Sequence, residues 1–315
     1  MNPFTKKRAQ SVGAHGELRL IEAVRRWLGD ASPAAPFGIG DDCAVIPPTR
    51  HHQLVTTDPV IYGQHFDNSV SARAVGAKLL KRNLSDIAAM GGRPVAAVIS
   101  LALAPGTSMA WLREFYLGLA ACARQYRVKI VGGDITQGPD NFFGAFLTLH
   151  GESSGRVITR RGARRGDAIF VTGRLGGSLA GHHFKFTPRL AEGAWLARQK
   201  EVVAMMDVSD GIAKDVQSLT PVGLVAGISA DFVPVSAAAR QAARRSGRPA
   251  WSHALTDGED YELLFVLGAK TDQVAFLRRW SRRFKTPLQP IGSFTRKLAP
   301  YHVNWSLLHG YEHLR

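Results

Sequence analysis

Two periods alternate along this chain. In some stretches apolar residues recur three and four apart; in others a short apolar run is closed by an acidic, glycine or hydroxyl residue. Glu17 to Leu28 carries the spacing of an amphipathic helix. Leu54-Val55-Thr56-Thr57 reads as a buried strand ending at Asp58. A long helix is predicted from a Ser71 cap to Met90, with Gly91-Gly92 closing it and Pro94 beyond. Val95 to Leu103 predicts a strand, Ser108 caps a helix to about Tyr126, and Val128 to Val131 predicts a strand stopping at Gly132-Gly133-Asp134. Asn141 to His150 is an apolar strand. Further on, the strand Ala168 to Thr172 runs into a glycine-rich turn, Gly173 to Ser178. Val202 to Met206 is a strand stopping at Asp207, followed by a helix from Gly211 to Leu219. Tyr261 to Leu267 is a strand and Thr271 to Arg283 a helix. This alternation predicts an α/β or α+β protein. Gly-Glu-Ser-Ser-Gly at 151–155 interrupts the pattern, which sets two domains, 1–152 and 153–315. No short-period repeat is present.

Length and composition narrow the class. The chain has 315 residues, enough for one large domain or two ordinary ones, and 45% hydrophobic residues exclude a disordered or collagen-like chain. Cys43 and Cys122 make neither a disulfide framework nor a zinc site, so a reducing, cytoplasmic setting is expected. The longest mainly apolar stretch, Val95 to Ala104, is far short of a bilayer span, and the first twenty residues lack a signal-peptide core. The net charge is +15. A basic surface suits nucleic acid or small polyanions such as nucleotides. The positive residues are scattered, as in Arg25-Arg26, Arg160-Arg161 and Arg278-Arg279. They match no nucleic-acid-binding signature, so no specific nucleic acid is expected.

The acidic residues carry the candidate chemistry. Asp41-Asp42, Asp58, Asp134, Asp207 and Asp210 all lie beside a predicted strand, next to glycine or a hydroxyl. Ligands of α/β sheets bind at the carboxyl ends of strands, and hard oxygen donors near phosphate suit magnesium. Each of these aspartates also has a plainer reading as a helix N-cap or Asx-turn. Asp86 falls near the C-terminal end of a predicted helix, where the macrodipole disfavours an anion. It is either an ion-pair partner of Arg82 or a metal ligand. Asp207-Val-Ser-Asp-Gly211 is the densest element, and Gly258-Glu-Asp-Tyr-Glu262 precedes an apolar strand. A P-loop, a protein-kinase catalytic loop and a nucleophile elbow are all missing. His65 has no nucleophile to activate and on that ground alone reads as structural.

Several strings together resemble a known family: Gly38-Ile-Gly-Asp-Asp-Cys-Ala44, Thr56-Thr-Asp58, Gly63-Gln-His-Phe66, Asn83-Leu-Ser-Asp-Ile-Ala-Ala-Met-Gly91, Gly132-Gly-Asp134, Thr159-Arg160, Asp207-Val-Ser-Asp-Gly211, Gly258-Glu-Asp-Tyr-Glu-Leu263 and Gly310-Tyr-Glu-His313. They run, in order, as in the thiamine-monophosphate kinases of the aminoimidazole-ribonucleotide-synthetase-like superfamily. The resemblance implies in-line transfer of the ATP γ-phosphoryl group to thiamine phosphate, giving thiamine diphosphate. It implies that Asp42, Thr56, Thr57, Asp58, Asp86, Asp134, Asp207 and Asp210 bind several Mg2+ ions, with Asp210 and Asp86 catalytic. It places Gly133, Asp134, Arg160 and Ser209 on ATP, and His65, Glu259 and Tyr311 on thiamine phosphate. It also implies a homodimer whose N-terminal sheets pair into a barrel, and a C-terminal α/β domain with a mixed sheet that completes the active site.

The chemistry agrees with that resemblance. Phosphoryl transfer needs positioning and charge neutralisation more than covalent help. A phosphomonoester with a second pKa of about 6 is already anionic, so no strong base is required. Arg160 suits bidentate contact with phosphate, and Tyr311 offers an aromatic face to a cationic ring. Glu259 can accept hydrogen bonds from an amino-pyrimidine. The chain departs from the family pattern at Pro59, at Asp257 and in a shortened stretch between Ser178 and Pro188-Arg189. Two other readings stay open on the residues: another ATP-using enzyme of the superfamily, or a basic nucleic-acid-binding protein that retains the fold.

Overall fold

The computed structural model describes residues 2–35, 37–39, 43–308 and 310–311. The chain forms two compact units, one of Met1–Ile87 with Arg93–Glu152 and one of Ala88–Gly92 with Ser153–Arg315.

The first unit holds α1 (Glu17–Leu28), β1 (Gln53–Ile61), α2 (Ala72–Ala89), β2 (Gly92–Leu103), α3 (Met109–Tyr126), β3 (Lys129–Gln137) and β4 (Phe143–Ser153), except that Ala88 and Ala89 of α2, Gly92 of β2 and Ser153 of β4 belong to the second unit. Both long helices begin where a serine precedes the apolar run. Ser71 Oγ accepts from the Ala74 N–H at 3.3 Å, and Ser108 Oγ from the Trp111 N–H at 3.4 Å. The sheet runs β1-β4-β2-β3, with β1–β4 antiparallel and β2–β3 parallel. One face is apolar: Leu147 and Leu149 of β4, with Ile99 and Leu101 of β2, are buried, as are Leu79, Leu80 and Leu84 of α2 and Leu112, Phe115 and Leu119 of α3. Phe143 lies 4.8 Å from the Trp111 ring and 5.5 Å from Phe115, edge to face. α2 and α3 meet backbone to backbone. A Cβ on Gly76 would sit 2.0 Å from the Phe115 carbonyl oxygen, and one on Gly118 2.1 Å from that of Arg73.

Two strands run past their expected ends. β1 does not stop at Asp58 but continues to Ile61, and β3 does not stop at Gly132-Gly133-Asp134 but continues to Gln137. Pro59 lies inside β1 without breaking it because β1 is an edge strand.

The second unit holds β5 (Ala168–Thr172), α4 (His182–Lys185), α5 (Leu190–Leu196), β6 (Val202–Asp207), α6 (Ile212–Leu219), β7 (Val225–Ile228), α7 (Ala237–Ser246), α8 (Ala250–Thr256), β8 (Leu263–Leu267), α9 (Gln273–Arg283) and β9 (Leu288–Thr295). Its sheet runs β6-β8-β5-β9-β7, and all four neighbouring pairs are antiparallel. The mixed sheet expected here is therefore found in the first unit instead. Both faces are covered. Ile169, Val171, Leu264 and Val266 pack with Ile212 and Val216 of α6, while Phe170, Met205 and Phe265 pack with Phe276 and Trp280 of α9. Burial on two faces is why β5 and β8 read as unbroken apolar runs. No helix among the described residues is long and apolar enough to cross a membrane.

Candidate functional site

In the first unit, the strand period sorts the candidate ligands. Thr56 and Asp58 are half-buried on the face opposite Leu149 and Leu147, whereas Thr57 lies on the other face opposite Thr148. α2 lies over the Thr56–Asp58 face. Thr56 Oγ1 donates to Asp86 Oδ2. Arg82 Nη2 lies 3.3 Å from Asp58 Oδ1, and its Nη1 donates to the Pro59 carbonyl at 2.7 Å. Asn83 Nδ2 donates to the Asp58 carbonyl at 3.4 Å. Thr56, Asp58 and Asp86 thus form one oxygen cluster, and Arg82 is the cation beside it.

Asp134 does not join this cluster. It sits on β3, the opposite edge strand, in register with Ser100 of β2, and is exposed on the face that also carries Thr57. Three strand spacings separate the two edges, about 14 Å. Gly133 has a packing reason of its own, since a Cβ there would meet the Ile99 carbonyl oxygen at 2.1 Å. His65 sits in the turn after β1. Its Nδ1 accepts from the Ile61 N–H at 3.1 Å, and its carbonyl accepts from the buried Lys78 at 3.2 Å. Asp41 and Asp42 lie outside the described residues.

In the second unit, three separate segments lock together. β6 ends on Asp207, which is 2% exposed. The Val208-Ser209-Asp210 turn is held to the 258–262 loop by Glu259 N–H to Ser209 O at 2.7 Å, Tyr261 N–H to Val208 O at 2.8 Å and Val208 N–H to Glu262 O at 2.8 Å. The Tyr311 N–H donates to Asp210 O at 2.9 Å, which brings the end of the chain to the same turn. Gly258, Glu259 and Tyr261 all take positive φ, +71°, +53° and +52°. Two non-glycine residues in that region within three positions are costly backbone, of the kind retained where a side chain must be presented in one direction. Glu259 Oε1 accepts from the Tyr261 hydroxyl at 3.0 Å, and its Oε2 lies 2.6 Å from His183 Nδ1. Arg160 is exposed in the segment before β5. The carbonyl of its neighbour Thr159 accepts from the Met205 N–H at 3.0 Å, which fixes that segment alongside β6.

Two residues that the sequence reading passed over support this turn. Asp215 Oδ2 accepts from the N–H groups of Ser209 at 3.0 Å and Asp210 at 3.1 Å. Burial first, then the charges of Asp207 and Asp210, push its carboxyl up to about 8. Lys214 Nζ bridges Asp210 Oδ2 at 2.6 Å and the Tyr311 carbonyl at 3.0 Å. The available signal was an acidic residue in the first turn of the helix after Gly211, placed to reach back to amides preceding that helix.

Among the described residues no group of three or more His, Cys, Asp or Glu side chains is arranged to hold a metal ion. The donors nonetheless fit magnesium. All are oxygens, grouped as Thr56–Asp58–Asp86, as Asp134, and as Asp207–Asp210. Magnesium takes one or two carboxylates and fills its octahedron with waters and substrate phosphates.

Similarity to known proteins identifies the family. The family model "AIR synthase related protein, N-terminal domain" matches residues 40–152. The crystal structure of thiamine-monophosphate kinase from Stenotrophomonas maltophilia K279a superposes with a TM-score of 0.74 at 31% identity, over 90% of this chain and 96% of that one. The structure "AaThiL complexed with AMPPCP and TMP" superposes with a TM-score of 0.68 at 28% identity, over 99% and 100%. The thiamine-monophosphate kinase of Rhodopirellula baltica is 37% identical over 260 residues, 79% of this chain and 81% of that protein. With this identity spread over most of both chains, the chain belongs to the thiamine-monophosphate kinase family.

Proposed function

We propose that the chain transfers the γ-phosphoryl group of ATP to thiamine phosphate in one in-line step, giving thiamine diphosphate and ADP. The observation that carries this reading is the interlocked turn of the second unit. One set of backbone hydrogen bonds holds Asp207, Ser209 and Asp210 beside Glu259 and Tyr311. Metal-type carboxylates and an acceptor-type glutamate and aromatic ring are thereby fixed to a single scaffold. The AaThiL complex with AMPPCP and TMP supports the pairing of a nucleotide with a second ligand.

Roles follow from position. Asp207 and Asp210 would hold Mg2+ in the second unit, Thr56, Asp58 and Asp86 in the first, with Asp134, Thr57 and Asp42 as further donors. The bound metal neutralises phosphate charge and orients phosphate oxygens. Gly133, Asp134, Arg160 and Ser209 meet the nucleotide, Arg160 through a fork that matches phosphate oxygens. His65, Glu259 and Tyr311 bind the acceptor, with Glu259 complementing its cationic or amino-bearing rings and Tyr311 presenting a half-exposed aromatic face. Lys214 sets the orientation of Asp210, and Asp215 holds the turn on which Ser209 and Asp210 stand.

A second copy of the chain is proposed to cover the outer face of the first unit's sheet. Val55 there is 70% exposed, and Val98 and Phe146 are each 38% exposed. The cytoplasm is the setting we propose for the enzyme.

The decisive measurement is chromatography of thiamine diphosphate and ADP formed from thiamine phosphate and ATP with excess magnesium. Equal amounts of both products are expected. In the same assay Asp210→Asn should lower kcat by about a hundredfold or more while leaving the fold intact. Absence of thiamine diphosphate from the wild-type reaction would overturn the activity. Wild-type turnover by a folded Asp210→Asn protein would remove Asp210 from the site.

A further inference from the structure

The backbone of Glu259 is pinned, but a glutamate side chain retains three torsions, and its carboxylate can still point in several directions. The structure fixes both of its oxygens. Tyr261 donates its hydroxyl to Oε1 at 3.0 Å, and Oε2 lies 2.6 Å from His183 Nδ1. Each of the two gripping residues is itself held. Phe186 stacks on Tyr261, with ring centroids 4.1 Å apart and planes inclined by 19°, and Phe184 lies 4.0 Å from the His183 ring. His183 and Glu259 remain reachable, with side chains 17% and 30% exposed. His183, Phe184 and Phe186 all come from α4 and the residue after it, inside the stretch between Ser178 and Pro188-Arg189 that is shortened in this chain.

We propose that His183 is a positioning residue for the acceptor: it sets the Glu259 carboxylate in the one orientation that meets the cationic or amino-bearing ring of a phosphomonoester. The inference rests on the reading of Glu259 as an acceptor-binding residue. Its physical basis is preorganisation. Immobilising a rotamer-rich side chain on binding costs affinity, and a side chain already held before the ligand arrives avoids that cost. The effect therefore belongs to binding of the acceptor and not to the transfer step.

Steady-state kinetics with thiamine phosphate and ATP varied in turn test this. His183→Ala should raise KM for thiamine phosphate about tenfold, leave kcat within about twofold, and leave both KM for ATP and the melting temperature unchanged. His183→Asn, whose amide nitrogen stands near the place of Nδ1, should recover most of the loss. The double variant His183→Ala/Glu259→Gln should be no worse than Glu259→Gln alone, because His183 acts through that carboxylate. A wild-type KM in His183→Ala overturns the inference, as does a fall in kcat and melting temperature with both KM values disturbed. If Glu259→Gln raises KM and His183→Ala does not, the inference alone fails. If Glu259→Gln leaves KM for thiamine phosphate untouched, the acceptor-site reading fails and the inference with it.

Discussion

Asp260 is a carboxyl that folding drives towards its protonated form. It is 1% exposed; Oδ1 accepts from the Gly176 N–H at 2.8 Å, and Oδ2 has no hydrogen-bond partner among the described residues. Burial above all, then the charges of Glu262, Asp257 and Asp215, raise its pKa well above 3.8. Below that value both folded and unfolded chains keep the proton, and its stabilising contribution is fully present. As pH rises from there through the folded pKa, the unfolded chain releases a proton that the native state retains, and stability is lost at up to about 1.4 kcal/mol per pH unit. Asp260→Asn keeps the acceptor for Gly176 and has no proton to release. Its urea midpoint should therefore gain on the wild type as pH is raised from 4 to 8. A gap that stays constant across that range would show that the carboxyl is ionised when folded. At this scale the sequence marked out the acidic turn but not the contacts that hold it. The aspartates at 207 and 210 were legible because both stand beside one turn. His183, Lys214 and Asp215 were not, because their value lies in contacts with Glu259, Tyr311 and the turn amides that only the fold creates.

Secondary-structure elements were legible where a cap and a long period coincide. α2 and α3 start after Ser71 and Ser108 and close at Gly91 and Arg127, within a residue or two of expectation. β7, β9, α7 and α8 escaped notice. β7 has four residues, β9 contains Pro290 and Gly292, and α7 buries only Ala239, so none shows a period long enough to read. Asp58 and Asp134 misled in the opposite direction, since a polar residue inside an edge strand looks like a strand end. The α2–α3 seam gives a test of element packing. Gly118→Ala drives a Cβ to 2.1 Å from the Arg73 carbonyl oxygen, and helix backbone cannot rotate away as a side chain would. The variant should lose about 1–3 kcal/mol in urea unfolding. Because α2 carries Arg82, Asn83 and Asp86, kinase activity should fall beyond what the unfolded fraction explains. An unchanged midpoint would show that the helices are not in backbone contact.

For the whole molecule, overall charge was the least informative property. The value of +15 was compatible with two kinds of partner, and family membership came from strings spread along the chain and from the matching relatives. The outer face of the first sheet makes a testable surface. Val55, with Phe146 four residues away in the register of the β1–β4 pair, presents apolar area to water on either side of Thr57 and Thr148. Phe146→Lys should shift the sedimenting species from dimer to monomer at micromolar concentration without changing the melting profile of the remaining fold. A wild-type protein that sediments as a monomer would remove this face from the assembly.

Pro59 has a consequence for what else can attach to that sheet. An edge strand exposes main-chain groups on which a foreign strand can zip up, and growth of this kind ends in fibrils. At position 59 the rim lacks an amide proton, and Arg82 already occupies its carbonyl. A strand creeping along β1 would lose its footing there. At the crowding reached in overexpression, this rim resists endless lateral stacking.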